Sequence, residues 1–155
     1  MKIDLGRLGD FLKEAGLETY ASGGNEVEST RLASYDHKYE KGDWIYHDTY
    51  FGGERFIGEE IIYYKEKPVW GMNYYGWVES LEISKEETYG FLKQSLLQDC
   101  GDLMPVRGPK EYISGTWKYL NQQEGNLEKF SGEENVYMDG VLMHRTYYRG
   151  GLVVK

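Results

Sequence analysis

Two acidic pairs stand in the same apolar setting. Residues 54–63 read ERFIGEEIIY and residues 128–137 read EKFSGEENVY, so Glu59-Glu60 and Glu133-Glu134 recur 74 positions apart. In an extended chain successive side chains face opposite ways. Phe56, Gly58, Glu60, Ile62 and Tyr64 then share one face, and Phe130, Gly132, Glu134, Val136 and Met138 share the matching one. The recurrence of Phe, Gly and an aliphatic residue makes this the expected core side, with Glu60 and Glu134 pointing into apolar surroundings. A carboxylate placed there must be paired, hydrated or protonated. The glycine two residues ahead of each Glu leaves room on that face for a ligand or a neighbouring ring.

Several chemistries suit this arrangement. Each Glu can bond a tyrosine hydroxyl or a backbone group and so fix the fold. One or both can instead line a pocket with Trp44, Tyr46, Trp117 and Tyr119, which would suit a cationic or polar aromatic ligand. Two carboxyls held about 5–10 Å apart across a sugar could do acid–base work, but nothing else in the chain supports a glycosidase. The stretch YDHKYEKGDWIYHDTYFGG, residues 35–53, is the richest in polar and aromatic groups. Trp44, Tyr46, Asp48 and Tyr50 share a face there. The related places further on hold Trp117, Tyr119, Asn121 and Gln123, so His47 and Asp48 belong to the first half alone. Asp36, His37, His47 and Asp48 do not have the spacing that ensures three or four convergent metal donors, and no metal is expected. Ser22, Ser34 and Ser114 lie near glycines without a G-x-S-x-G elbow. The glycine-rich SGGN at 22–25 reads as a solvated turn. Arg31 and Arg107 precede the two sets of strands at similar places, and either could pair a buried Glu.

The elements that carry these residues also recur in order. YEKGDWIY (39–46) and YISGTWKY (112–119) share Y-x-x-G-x-W-x-Y. Tyr74-Tyr75 and Tyr147-Tyr148 follow at the same offset, and Phe-Leu-Lys precedes each set at 11–13 and 91–93. Such ordered self-similarity predicts an internal duplication. Asp4 is a candidate N-cap for a helix with apolar residues at Leu5, Leu8, Phe11, Leu12 and Ala15, ending near Gly16. Ser84 with Glu87 forms a capping box ahead of Thr88, Phe91, Leu92 and Leu96. Extended runs are expected at 43–51, 56–64 and 69–77, and again at 116–123, 127–138 and 141–149, with Asp139-Gly140 as a hairpin turn. The fold class is therefore α+β: one domain over 1–155, built of two αβββ units (4–77 and 84–149), each a helix and a three-stranded antiparallel meander. A pseudo-twofold axis would let both helices cover one face of a joined sheet.

Composition narrows the partners. The 155 residues carry a net charge of −8 and no basic cluster longer than Lys65-Glu66-Lys67, which argues against direct nucleic-acid binding. The single cysteine, Cys100, cannot form an internal disulfide, so a reducing cytoplasm is the expected compartment. No run is apolar enough to suggest a leader or a membrane span. Fifteen tyrosines and 20 glycines fit a chain of strands and tight turns.

The set YHDTYFGGERFIGEE, KPVWGMNYYGW, RGPKEYISGTWKY and FSGEE resembles an uncharacterised bacterial family, domain of unknown function 5680, from Phe11 to Gly151. The resemblance implies a module found alone or behind an N-terminal helix-turn-helix of the XRE repressor type. With one helix ahead of its first strands, this chain reads as the stand-alone, effector-like version. No catalytic residue comes with the resemblance. A likeness of architecture alone runs to gyrase-inhibitor-like drug-binding domains, tandem repeats that hold cationic ligands with aromatics and a Glu; the element order differs and no motif matches.

The expected function is a cytoplasmic, non-catalytic small-molecule-binding or sensing module without cofactor. Its site would comprise Trp44, Tyr46, Asp48, Tyr50, Glu60, Trp70, Tyr74, Trp117, Tyr119 and Glu134, for an aromatic or cationic ligand. A protein–protein module, partnering a regulator or inhibiting a toxin, is the alternative, ahead of a carboxylate-dependent hydrolase.

Overall fold

A computed structural model describes residues 2–19 and 23–153; Ser22 lies outside the described residues. Helix α1 (Leu5–Glu18) is followed by strands β1 (Glu26–Val27), β2 (Tyr35–Lys41), β3 (Trp44–Gly52), β4 (Arg55–Tyr64) and β5 (Lys67–Val78). Helix α2 (Lys85–Leu96) then leads to β6 (Glu111–Ser114), β7 (Trp117–Asn126), β8 (Lys129–Met138) and β9 (Val141–Leu152). The nine strands of the described residues form one antiparallel sheet in the order β1-β2-β3-β4-β5-β9-β8-β7-β6. The protein is thus α+β, with a strand order that mirrors itself about the central β5–β9 pair, where Tyr74 lies directly opposite Tyr148.

The helix starts follow their caps. Asp4 accepts from the backbone N–H groups of Gly6 and Arg7, and Ser84 accepts from the N–H of Glu87 while donating its hydroxyl to that carboxylate. α1 continues past Gly16 to Glu18, because Leu12 and Ala15 are already buried and the last turn remains packed. Each helix docks through its Phe on the hairpin of its own half. Phe11 stacks on Tyr39 and Trp44 at 5.8 and 5.5 Å; Phe91 stacks on Tyr112 and Trp117 at 5.7 and 5.2 Å.

The shared Y-x-x-G-x-W-x-Y run is a hairpin rather than the lead-in to a strand. Tyr39 pairs with Tyr46 across Gly42, and Tyr112 with Tyr119 across Gly115. Each helix is consequently followed by four main strands, one more than the expected meander. The extra strands, β2 and β6, put no aliphatic residue on the face the helices cover, where Tyr39 and Tyr112 meet Phe11 and Phe91, and so lack the aliphatic alternation that announces a strand.

Turns set the register. Asp139-Gly140 joins β8 to β9 with φ of 49° and 78°, the pair of left-handed residues that a two-residue hairpin needs. Lys65-Glu66 joins β4 to β5 with φ of 51° and 61° but no glycine, a conformation costing about 1–2 kcal/mol per ordinary L-residue. Replacing Lys65-Glu66 with Asn-Gly is expected to stabilise the fold by about 1–2 kcal/mol, read as a higher urea midpoint at unchanged m value.

Both helices lie on the sheet face carrying Tyr46, Glu60, Ile62, Met72, Tyr119, Glu134 and Val136, all buried. The opposite face stays open along β5 and β9, where Tyr75, Trp77 and Tyr147 form a partly exposed row. Two glycines on the covered face make room for rings: a Cβ on Gly58 would meet the Tyr74 ring at 2.4 Å, and one on Gly132 the Tyr148 ring at 2.2 Å. The space beside each acidic pair is thus filled by a tyrosine of the central strands.

Candidate functional site

The covered face brings three carboxyl groups together beneath the helices. Asp48 on β3 lies directly opposite Glu60 on β4, and both side chains point to the helix side. Cβ atoms of such a pair sit about 5 Å apart, and like charges there repel. Asn121 on β7 lies opposite Glu134 on β8 at the corresponding place in the second half.

The two places are completed differently. Glu134 is fully buried, pairs with the guanidinium of Arg107, and accepts from the Tyr119 hydroxyl at 2.7 Å. Arg107 comes from the loop after α2, whose Gly108 N–H donates to the Tyr119 hydroxyl oxygen at 3.1 Å and whose Gly108 carbonyl accepts from Asn121 at 2.9 Å. Tyr148 donates to Asn121 at 2.6 Å. Among the described residues, two buried polar atoms beside this half of the site have no hydrogen-bond partner, Nε of Arg107 and Nδ1 of His144 on β9. Burial raises the cost of ionising Glu134, yet Arg107 and Tyr119 together hold its pKa below the usual range.

The first half carries no such guanidinium. Its loop at 28–34 lies on the other face of the sheet, where Arg31 pairs with Glu59 instead of Glu60. That loop is pinned by Asp36, which accepts from Thr30, Ser34 and Thr49 and pairs with His47 at 2.7 Å. Asp36 is shut off from solvent, and these hydrogen bonds hold its pKa well below the usual carboxylate range. Glu60 meets the Tyr46 hydroxyl, Asp48 accepts from Tyr74 at 2.6 Å, and His37 Nδ1 lies 4.0 Å from Asp48. Among the described residues no Lys or Arg lies within ion-pair distance of either carboxyl. Burial therefore dominates, pushing the Glu60 carboxyl up to about 8 and that of Asp48 up to about 7, with their mutual repulsion adding to the Glu60 shift. Near pH 7 these groups can donate as well as accept hydrogen bonds.

Two cavities open beside them, and Glu60 and Arg107 border both. One, of about 250 Å³, lies beneath α2 and is walled by Asp48, Tyr50, Phe56, Tyr74 and Tyr89, with Lys85 and Lys93 on the helix. The Tyr89 hydroxyl closes one end by donating to the Gly53 carbonyl at 2.6 Å. The other, of about 210 Å³, runs past Tyr46 between the C-terminal ends of the two helices. Of the residues expected at a site, Tyr46, Asp48, Tyr50, Glu60 and Tyr74 border one or other cavity, and Tyr119 and Glu134 stand behind Arg107. Trp44 and Trp117 instead anchor the helices. Trp70 sits in the core, stacked on Phe130 at 5.5 Å and donating to the Leu127 carbonyl. Asp36 with His47, and His37 with Asp48, lie on opposite faces of the sheet, and no group of three or more metal-ligating side chains converges among the described residues. Ser34 is taken up in the Asp36 network, and Ser114 ends β6 beside the Gly115 turn.

Arg107, Lys85, Tyr89 and Lys93 were absent from the expected site. Arg107 carried a legible signal: it precedes the second set of strands as Arg31 precedes the first, and was expected to be able to pair a buried Glu, as it does with Glu134. The polar face of α2 carried none, since its spacing is that of an ordinary solvated helix surface.

Among the described residues, fold and site define an α+β protein of two helices on one sheet, which holds two carboxyls with no cation bonded to them beside an aromatic-walled cavity. The chain belongs to the family described as Domain of unknown function (DUF5680), whose model matches residues 48–153, from Asp48 on β3 through the end of β9. No curated protein and no solved structure matches it. No helix among the described residues is long and apolar enough to cross a membrane.

Proposed function

We propose that this chain is a non-catalytic module that binds or senses a small molecule in the cavity beneath α2, with the cytoplasm as its compartment. The observation that carries the reading is Glu60: a carboxyl buried to 7% exposure, without a cation bonded to it, opening into two cavities. Burying a carboxyl without a partner costs several kcal/mol. A core with no ligand to hold would satisfy it from within, as Arg107 does for Glu134. The mirrored strand order, the matched helix docking and the recurrent Glu support reading the halves as copies of one αββββ unit. In that view one copy has closed its site with Arg107, and the other has kept it open.

Melting in the presence of single- and fused-ring aromatic compounds, charged and neutral, tests this. A compound at a hundred times its Kd should stabilise the fold by about 2.7 kcal/mol, raising Tm by about 5–10 °C. Glu60→Gln should reduce that gain. If no compound class shifts the transition and Glu60→Gln melts like the parent at every pH, the cavity is a packing defect and the reading fails.

A further inference from the structure

We infer that the cavity beneath α2 takes a compact aromatic ligand bearing a planar nitrogen cation, a guanidinium, an amidinium or an aminated heterocycle, seated between Asp48 and Glu60. The inference rests on the cavity being a binding site and names the chemistry of its occupant.

The second half of the sheet supplies the template. There one acid, Glu134, faces an amide, Asn121, and a planar guanidinium from the chain itself lies on the acid beside the Tyr119 hydroxyl. At the matching place in the first half two acids face each other, Tyr46 stands where Tyr119 stands, and the guanidinium is missing. The residue that could have supplied it, Arg31, is bonded to Glu59 on the other face. An external cation would do for Asp48 and Glu60 what Arg107 does for Glu134.

The charge inventory points the same way. Arg107 is bonded to Glu134, and it is the cation whose field reaches both Asp48 and Glu60. Lys85 and Lys93 belong to the opposite wall. His37, the neighbour of Asp48 on β2, has its pKa lowered by burial, which disfavours its cationic form. Two carboxyls on adjacent strands suit a planar fork of N–H donors better than a point charge. Two carboxyls among rings do not make the oxygen cage a metal ion needs, whereas Tyr50, Tyr74 and Tyr89 offer faces and edges to a flat cation. A volume of about 250 Å³ lies below the range for drug-sized ligands and fits one or two rings.

Proton exchange follows from the same geometry. Without a ligand, Asp48 and Glu60 retain protons near neutral pH; an arriving cation lowers their pKa values and expels a proton. Affinity for the cation should therefore rise with pH through the 6–8 window. Of the other ionisable neighbours, the Tyr46 and Tyr74 hydroxyls are pushed further above their usual value, Arg107 is raised, Glu134 is held below the usual carboxylate range, and burial lowers His37.

The test is calorimetric titration of the whole protein with phenylguanidinium, with its neutral isostere phenylurea, and with benzoate. Each is run at pH 6 and pH 8, in buffers of different ionisation enthalpy. Phenylguanidinium should bind at least about tenfold more tightly than the other two, gain about tenfold or more between pH 6 and pH 8, and release about one proton at pH 7. Asp48→Asn, which installs the second half's residue, and Glu60→Gln should each weaken it at least about tenfold and leave phenylurea unaffected. Both variants are near-isosteric with the protonated side chains, so their melts at pH 5 should match the parent. Binding of phenylurea or benzoate as tightly as phenylguanidinium overturns the cation and leaves the cavity reading standing. Phenylguanidinium binding without proton release, or indifferent to both variants, places it elsewhere and also overturns the inference. Absence of binding by phenylguanidinium up to about 10 mM overturns it too, and the wider melting panel then decides the cavity reading separately.

Discussion

Arg107→Met should lower the unfolding free energy by about 3–5 kcal/mol, the cost of leaving one member of a buried ion pair without its partner. The Arg107 side chain is 7% exposed and that of Glu134 fully buried, so water cannot replace the lost guanidinium. Tyr119 would remain as a hydrogen-bond donor to Glu134, but a neutral donor does not cancel a charge. Glu134 would then take up a proton, and the variant should lose less stability at pH 5 than at pH 8. The double variant Arg107→Met with Glu134→Gln should recover most of the loss, because it removes both desolvated charges at once. Urea denaturation of the four proteins at one pH forms the cycle. A single variant as stable as the parent would mean that the pair is not what holds the loop after α2 to the sheet.

The second large effect is on pH dependence, and its sign is unusual for carboxyl groups. Paired carboxylates usually stabilise a fold above their unfolded pKa, near 4, and that contribution is lost in acid. Glu134 and Asp36 are of that kind, held below the ordinary range. Glu60 and Asp48 are the reverse, raised to about 8 and about 7. The folded state then holds protons that the unfolded chain has already released above pH 4. Their contribution is complete below the unfolded pKa and is lost as pH climbs through the folded values. One unit of separation is worth about 1.4 kcal/mol, so stability should fall by on the order of 4 kcal/mol from pH 5 to pH 8 and level off above. Maximum stability should lie near pH 5. Glu60→Gln should flatten most of this slope and make the variant more stable than the parent at pH 8. Equal urea midpoints at pH 5 and pH 8 for the parent would show that both acids are ionised throughout, and would overturn the account of them as buried and protonated.

Local rules carried much of the fold. The two caps at Asp4 and Ser84 and the Asp139-Gly140 turn depend on contacts within four residues, so their spacing alone announces them. The covered face of β4 and β8 follows from a period of two combined with Phe, Gly and an aliphatic residue. β2 and β6 escaped because their pairing partner, and not their own alternation, holds them extended. Lys65-Glu66 escaped as a two-residue turn because neither residue favours the left-handed conformation that the β4–β5 register imposes.

The amino-acid sequence by itself determined that Glu60 and Glu134 would face the core, since side-chain alternation is a property of the strand and needs no tertiary contact. Only the tertiary structure decided which of them would be neutralised. That depends on loops far away in the chain: the one after α2 crosses the covered face and delivers Arg107, while the one before β2 crosses the open face and delivers Arg31 to Glu59. Tertiary packing likewise drew Trp44, Trp70 and Trp117 into stacks under the helices and laid α2 beside Asp48, making a cavity wall of Tyr89. Strand periodicity acts over two residues, whereas the cost of a buried charge is set by whatever the whole fold brings within a few ångströms of it.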